Sequence, residues 1–381
     1  MYKPPSVLVW EFTNKCNLYC IHCGSECSID SNLNELTTEE ALNLCQEISE
    51  LKPDIVTITG GEPFLRPDWM IIMDRLNKLD VKFTVMTNGT LLDEKLVEKL
   101  LIVKPSSVGV SIDGGTADVH DYIRGRKGSF NKTLNAMNLL LEAGVYTTVN
   151  TTLQRINVHQ VNLIKDIILL YGIDAWKIQM AYPHGRMDKK TIITENQFYE
   201  ASKYIVNFSR RYKNIFTTGG DCFGYYGTLQ PRNHWNGCHA GINSIGVLSN
   251  GDIKGCTAIP CEIPIEGNIR EKSLIEIWNN SDAFSYNRKF KREMLDGYCS
   301  ECKYGEVCRG GCTERAYSLS GNPCNNPYCN YKFEQTGFSS EEQAILCFDP
   351  VETEKIYNSI RPLPEGFNLN NCENKHLIPQ E

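Results

Sequence analysis

No stretch of the 381-residue sequence reaches the roughly 18 unbroken apolar residues that a membrane-spanning helix needs. The opening residues, MYKPPSVLVWEF, carry no basic leader followed by a long apolar segment and a small-residue cleavage site, so a soluble, cytoplasmic protein is expected, with no membrane partner. Charge of one sign is also missing. A net charge of only -7, with no polybasic tract, excludes an electrostatic nucleic-acid footprint and predicts no nucleic-acid partner. Low-complexity segments are absent too, and 41% hydrophobic with 22% charged residues describes a folded chain long enough for one large unit and a smaller one. What the sequence has in quantity is cysteine, 17 in all. Without an export signal these thiols stay reduced, and they read as metal ligands or catalytic groups rather than a disulfide framework.

The first half alternates strand and helix patterns. Strands are expected at residues 7–12, 54–59, 81–87, 107–113, 145–153 and 175–180, each rich in β-branched and apolar residues. Between them, Thr37 and Glu40 form a capping-box pattern, Pro67 sits at a first turn, Asp93 caps a third helix, Ser129 opens a helix closed by Gly144, and Asn157 opens one closed by Gly172. A regular βα order implies parallel strands with right-handed crossovers, hence a doubly wound sheet or a barrel, with the working site at the carboxyl ends of the strands. After residue 190 the pattern becomes a helix and a Gly- and Tyr-rich bridge. From Cys238 to Cys329 the chain holds nine cysteines and ten glycines, a composition for which metal supplies cohesion that a small core cannot.

Directly after the first strand, NKCNLYCIHCGSEC places four cysteines in fourteen residues. Cys16, Cys20 and Cys23 have the spacing C-x3-C-x2-C, which suits three corners of a [4Fe-4S] cubane with one iron left open; zinc is the alternative. Three further motifs follow successive strands: TGGEP (Thr59 to Pro63), TNGT (Thr87 to Thr90) and SIDG (Ser111 to Gly114). Singly each is an ordinary turn or cap. Together, over the first 190 residues, they resemble the radical S-adenosylmethionine (radical SAM) superfamily.

That resemblance implies an α/β fold, a partial (βα)6 TIM-like barrel, and a [4Fe-4S] cluster on Cys16, Cys20 and Cys23 whose open iron chelates SAM. Cys27 is then a surplus thiol, expected to point away from the cluster. Gly60 and Gly61 would let the backbone approach SAM, Glu62 would lie near its amino group, and Pro63 and Asn88 complete those two motifs. Ser111, Asp113 and Arg124 become candidate contacts to ribose or carboxylate. His22 stands where the family usually has an aromatic residue before the third cysteine, and imidazole can also pack on adenine.

The later cysteines read C-x12-G-x4-C at Cys238, Gly251 and Cys256, then C-x2-C-x5-C-x3-C at Cys299, Cys302, Cys308 and Cys312. With GNIREKSLIEIW between them, they are similar to the SPASM domain, which carries up to two auxiliary [4Fe-4S] clusters. The resemblance assigns Cys238, Cys256 and Cys312 to one cluster and Cys299, Cys302 and Cys308 to another, closed by Cys329 in preference to Cys324. The fourth ligand of the first stays open between Cys222 and Cys261, and Cys222 could instead be a free thiol that donates hydrogen. Cys45, Cys347 and Cys372 read as structural. The expected organisation is a radical SAM core at 1–190, a helical bridge at 191–235, an auxiliary-cluster domain at 236–335 and a tail at 336–381.

By resemblance the substrate is first a ribosomally made peptide undergoing crosslinking, thioether formation, epimerisation or excision, with a separate leader-recognition protein or none. A tetrapyrrole or other cofactor intermediate is the alternative. Sulfatase maturation is a further one, weakened because Thr257 replaces the aspartate base of those enzymes. A low-potential donor of flavodoxin or ferredoxin type would supply electrons. His184 and Arg186, after the sixth strand, are candidate substrate contacts. The non-enzyme alternative is a zinc-stapled binding scaffold.

Overall fold

A computed structural model describes residues 1–224, 229, 235–259, 262–337, 355 and 358–360. Cys261, Cys347, Cys372 and most of the expected tail lie outside the described residues.

All six expected strands form: β1 Val7–Glu11, β2 Ile55–Thr59, β3 Phe83–Thr87, β4 Ser107–Ser111, β5 Thr147–Leu153 and β6 Ala175–Met180. They pair in chain order and all in parallel, the partial (βα)6 barrel of the radical SAM type. The sheet continues beyond them at both edges. The segment expected to be a helical bridge also contributes β7, Phe216–Gly219, parallel to β6. At the other edge β8, Ser244–Val247, pairs in parallel with β1 and turns back through Gly251 (φ 88°) into β9, Asp252–Lys254, which pairs with β10, Gly267–Asn268.

The helices are α1 Thr38–Leu51, α2 Trp69–Lys78, α3 Glu94–Val103, α4 Ala117–Arg124, α5 Ser129–Glu142, α6 Val161–Tyr171 and α7 Glu195–Arg211. Their ends follow side-chain chemistry. Thr37 with Glu40 and Thr194 with Gln197 close capping boxes, and Asp93 caps α3. Pro67 lies two residues before α2, and Asn157 lies four residues before α6 because a 3-10 turn, Val158–Gln160, comes between.

Alternate strand residues, such as Trp10, Val56, Ile58, Val85, Val110 and Trp176, pack with the helices into one core. The intervening residues Thr57, Thr59, Thr84, Met86, Ser111, Asn150 and Gln179 stay half-buried, and Lys177 is exposed. The inner face is therefore polar and open rather than filled with apolar layers. The C-terminal module is fastened to α1 by Arg270, which bonds both carboxylate oxygens of Glu40 at 2.6 and 3.0 Å and the backbone carbonyls of Asn34, Glu35 and Asn250. Among the described residues no helix is long and apolar enough to cross a membrane.

Candidate functional site

The loop after β1 carries the first cysteines, and long-range contacts shape it. Gly61 N–H donates to the Thr13 carbonyl at 2.7 Å and Glu62 N–H to that of Lys15 at 2.8 Å. A Cβ on Gly60 (φ 134°) would stand 2.4 Å from the Thr13 oxygen, and one on Gly61 only 2.1 Å from that of Lys15. Both glycines line the pocket, but the close approach that demands them is to the cysteine loop itself.

Arg186 fixes the other side of that loop. Its Nε donates to the Cys20 carbonyl at 2.9 Å, Nη1 to that of Cys27 at 3.0 Å, its backbone N–H to that of Cys23 at 3.1 Å, and its guanidinium lies 4.0 Å from the centre of the Tyr19 ring. Arg186 thus holds the cysteine loop and also lines the pocket where substrate was expected to meet it. His184 packs beside Gly24, half-buried, with its imidazole pKa lowered by burial.

An open pocket of about 140 Å³ is lined by Cys16, Cys20, Cys23 and Cys27 on one side and by Gly60, Gly61, Asn88, Ser111, Arg124 and Arg186 on the other. Each of the three predicted ligands receives a donor: Cys16 from Leu18 N–H at 3.5 Å and Asn88 Nδ2 at 3.9 Å, Cys20 from Arg124 Nη1 at 3.8 Å, and Cys23 from the backbone N–H groups of Ser25 and Cys27. Burial pushes the Cys16 thiol up to about 12 and raises Cys20 as well, so bound cations are needed to hold both as thiolates. Cys27 does not point away. It is 2% exposed, lines the same pocket as Cys23, and donates its S–H to Asn14 Oδ1 at 2.9 Å, while the neighbouring Cys23 and burial raise its own thiol. The expectation failed because spacing reports the order of thiols and says nothing of side-chain direction.

Three residues expected at SAM lie behind the wall. Fully buried Glu62 accepts from Thr87 Oγ1 at 2.8 Å and Asn88 N–H at 2.9 Å, and burial pushes its carboxyl up to about 7. Pro63 begins a buried 3-10 turn. Asp113 supports Arg124 through a 2.6 Å ion pair and accepts Thr152 N–H at 2.8 Å. Gln154 Nε2 donates to His22 Nδ1 at 3.0 Å, which places the imidazole proton on Nε2, 3.5 Å from Asp113 Oδ2. Burial lowers the His22 pKa to about 4, so the ring is neutral. Arg124 Nε remains a buried donor without a partner on the pocket wall. Three thiols in a row, a glycine-walled cavity and an unsatisfied cationic donor fit a cluster with a carboxylate-bearing ligand.

The later cysteines fall into two groups. Cys238 bears electrostatically on both Cys256 and Cys312, while Cys299, Cys302 and Cys329 all bear on Cys308. Cys324 packs in one buried cluster with Leu295 and Cys299, and Cys299 bears on it electrostatically. Cys222 is buried, its sulfur accepting Met180 N–H at 3.4 Å and its pKa raised by burial. Sequence reading overlooked Glu314, whose carboxyl accepts Tyr182 Oη–H at 2.9 Å and is pushed by burial to about 8. It also overlooked Arg315 beside it; the signal for both was their position just after Cys312 on a helix.

A parallel partial barrel with a three-thiol pocket at its strand ends, joined to a cysteine-rich module, defines the class. The radical SAM superfamily matches residues 10–167, and SPASM, an iron–sulfur cluster-binding domain, matches 238–303. An AdoMet-dependent heme synthase from Methanosarcina barkeri is 31% identical over 349 residues, spanning 87% of this chain and 98% of that protein. The mycofactocin maturase MftC of Mycobacterium tuberculosis is 29% identical over 335 residues, 85% of this chain and 82% of its own. The crystal structure of Streptococcus suis SuiB bound to S-adenosylmethionine aligns with a TM-score of 0.70 at 18% identity, covering 85% of this chain and 76% of that one. The chain belongs to the radical SAM superfamily and carries a C-terminal SPASM domain. Its cofactors are SAM, a [4Fe-4S] cluster and auxiliary iron–sulfur clusters.

Proposed function

We propose that this radical SAM enzyme acts on a carboxylate-bearing tetrapyrrole, the alternative substrate class in the sequence reading, rather than on a ribosomally made peptide. The observation that carries this is the likeness to the heme synthase, which extends over 98% of that protein's length. The open inner face of the barrel supports it: threonine and serine hydroxyls, Asn150, Gln179 and the exposed Lys177 offer donors to a large polar acid. A peptide substrate is the second reading, favoured by the 29% identity to the mycofactocin maturase.

When bound, the reduced cluster and SAM supply a 5′-deoxyadenosyl radical that abstracts hydrogen from the substrate. The protein's own residues prepare the site. Cys16, Cys20 and Cys23 would hold the cluster, and Arg186 with the Gly60–Gly61 turn holds their loop. Cys27 ties the loop to Asn14, while Asn88, Ser111 and the unpaired Nε of Arg124 would take the polar groups of SAM. Asp113 and neutral His22 keep Arg124 in place, and the buried wall around Glu62 excludes water. Cys238, Cys256 and Cys312 would hold one auxiliary cluster, and Cys299, Cys302, Cys308 and Cys329 the other.

The test is anaerobic incubation of the iron-loaded enzyme with SAM, a strong reductant and an iron porphyrin bearing free carboxylates. The expected result is a porphyrin-dependent rise in 5′-deoxyadenosine together with a change in porphyrin mass. Unchanged 5′-deoxyadenosine and unchanged porphyrin overturn the tetrapyrrole reading, and modification of a precursor peptide under the same conditions selects the second.

A further inference from the structure

The helix Thr313–Ser320 starts directly after Cys312 and carries Arg315 in its first turn. Arg315 is 1% exposed, and its Nε and Nη1 have no hydrogen-bond partner. No carboxylate among the described residues pairs with it. Its contact as a cation is the Phe198 ring, 5.2 Å away, which stacks at 5.1 Å on Phe223 next to Cys222. An unpaired buried guanidinium is strongly destabilising, so a fold that keeps one has an anion to place beside it.

A second donor is orphaned in the same place. Asn326 is 3% exposed and its Nδ2 has no partner, although its Oδ1 accepts Tyr328 N–H at 3.2 Å and its backbone hydrogen-bonds Cys299. Gly311 (φ 82°) makes room for both: a Cβ there would lie 2.5 Å from Asn326 Nδ2 and 3.4 Å from Arg315 Nη2. Around these donors stand thiols. Arg315 lies three residues beyond Cys312, its charge also bears on Cys299 and Cys329, and the Asn326 backbone bonds the Cys299 sulfur.

We propose that Arg315, with Asn326, donates N–H···S bonds to the auxiliary cluster held by Cys299, Cys302, Cys308 and Cys329 and holds its reduction potential up. A four-iron cluster on four thiolates is a buried anion with sulfur acceptors, which is what two orphan donors and an unpaired cation lack. Charge and hydrogen bonds at the sulfurs are the protein's means of setting cluster potentials. A raised potential lets this cluster take an electron more readily than it would without the guanidinium. Arg315 is thereby a potential-setting residue, and the inference rests on the reading that these four cysteines hold a cluster.

The experiment uses the full chain, loaded anaerobically, as wild type, Arg315→Gln and Arg315→Lys. Iron and sulfide are counted, and the auxiliary clusters are titrated with electron paramagnetic resonance as the readout. Iron-replete Arg315→Gln is expected to show at least a tenfold lower ratio of reduced to oxidised auxiliary cluster at a fixed ambient potential, about 59 mV for a one-electron couple. Arg315→Lys, which keeps the charge and loses the fork, should fall between. An unchanged ratio in both variants overturns the proposal, and so does loss of auxiliary iron from both, which would make Arg315 a structural residue. Wild-type protein with iron for the SAM-binding cluster alone overturns the underlying reading instead.

Discussion

Arg186→Ala separates a loop clamp from a substrate contact. The change removes hydrogen bonds to the carbonyls of Cys20 and Cys27 at 2.9 and 3.0 Å and the contact with Tyr19 at 4.0 Å. Charge-assisted bonds are each worth about 1.5–3 kcal/mol when buried, and Arg186 is half-buried, so the loop loses about 2–3 kcal/mol of ordering. That corresponds to roughly a thirtyfold or larger fall in the population of the cluster-ready loop. Reconstituted Arg186→Ala should therefore hold less iron at the SAM-binding site, retain its auxiliary iron, and cleave SAM poorly even without substrate. Arg186→Lys can make one of the two carbonyl bonds and should be intermediate. Iron quantification and substrate-free 5′-deoxyadenosine formation measure this. Full iron and normal substrate-free cleavage, with only the KM for substrate raised, would refute the clamp and restore the substrate contact.

Other substitutions probe separate supports. Gly61→Ala drives a Cβ to 2.1 Å from the Lys15 oxygen, a backbone atom, so it should lose the SAM-binding cluster while circular dichroism stays native. Glu62 has a folded pKa of about 7 against 4.5 unfolded, so its contribution to stability is complete below pH 4.5 and is lost as pH rises through 7. Glu62→Gln should flatten the fall in Tm between pH 5 and 8, and an unchanged slope would reject Glu62 as its source. Arg270→Ala should loosen the C-terminal module by about 1 kcal/mol, less at high salt, read as earlier proteolysis between the barrel and that module. Cys27→Ser keeps a donor to Asn14 and should keep SAM cleavage; an inactive, iron-depleted variant would show that the thiol itself is required.

The six parallel strands were legible because β-branched runs between capped amphipathic helices leave few other pairings. Helix α4 escaped notice for a physical reason: its buried face includes His120 and Arg124 as well as Val119 and Ile123, so apolar periodicity does not mark it. The pairing of β8 with β1 joins segments more than 230 residues apart, and no local pattern reports it. At the site, cysteine spacing and the turn glycines pointed to the right loops. Side-chain direction was not readable, so the grip of Arg186 on the cysteine loop and the inward placement of Cys27 were missed, and Glu62 and Asp113 brace the wall rather than line it.

The central claim is that Cys16, Cys20 and Cys23 hold the cluster that cleaves SAM and that the later cysteines hold separate ones. Replacing all three with alanine and measuring iron and 5′-deoxyadenosine anaerobically tests it directly. The account predicts a fall from about twelve to about eight irons, four per cluster, with 5′-deoxyadenosine formation abolished. SAM cleavage that survives the triple substitution would contradict it.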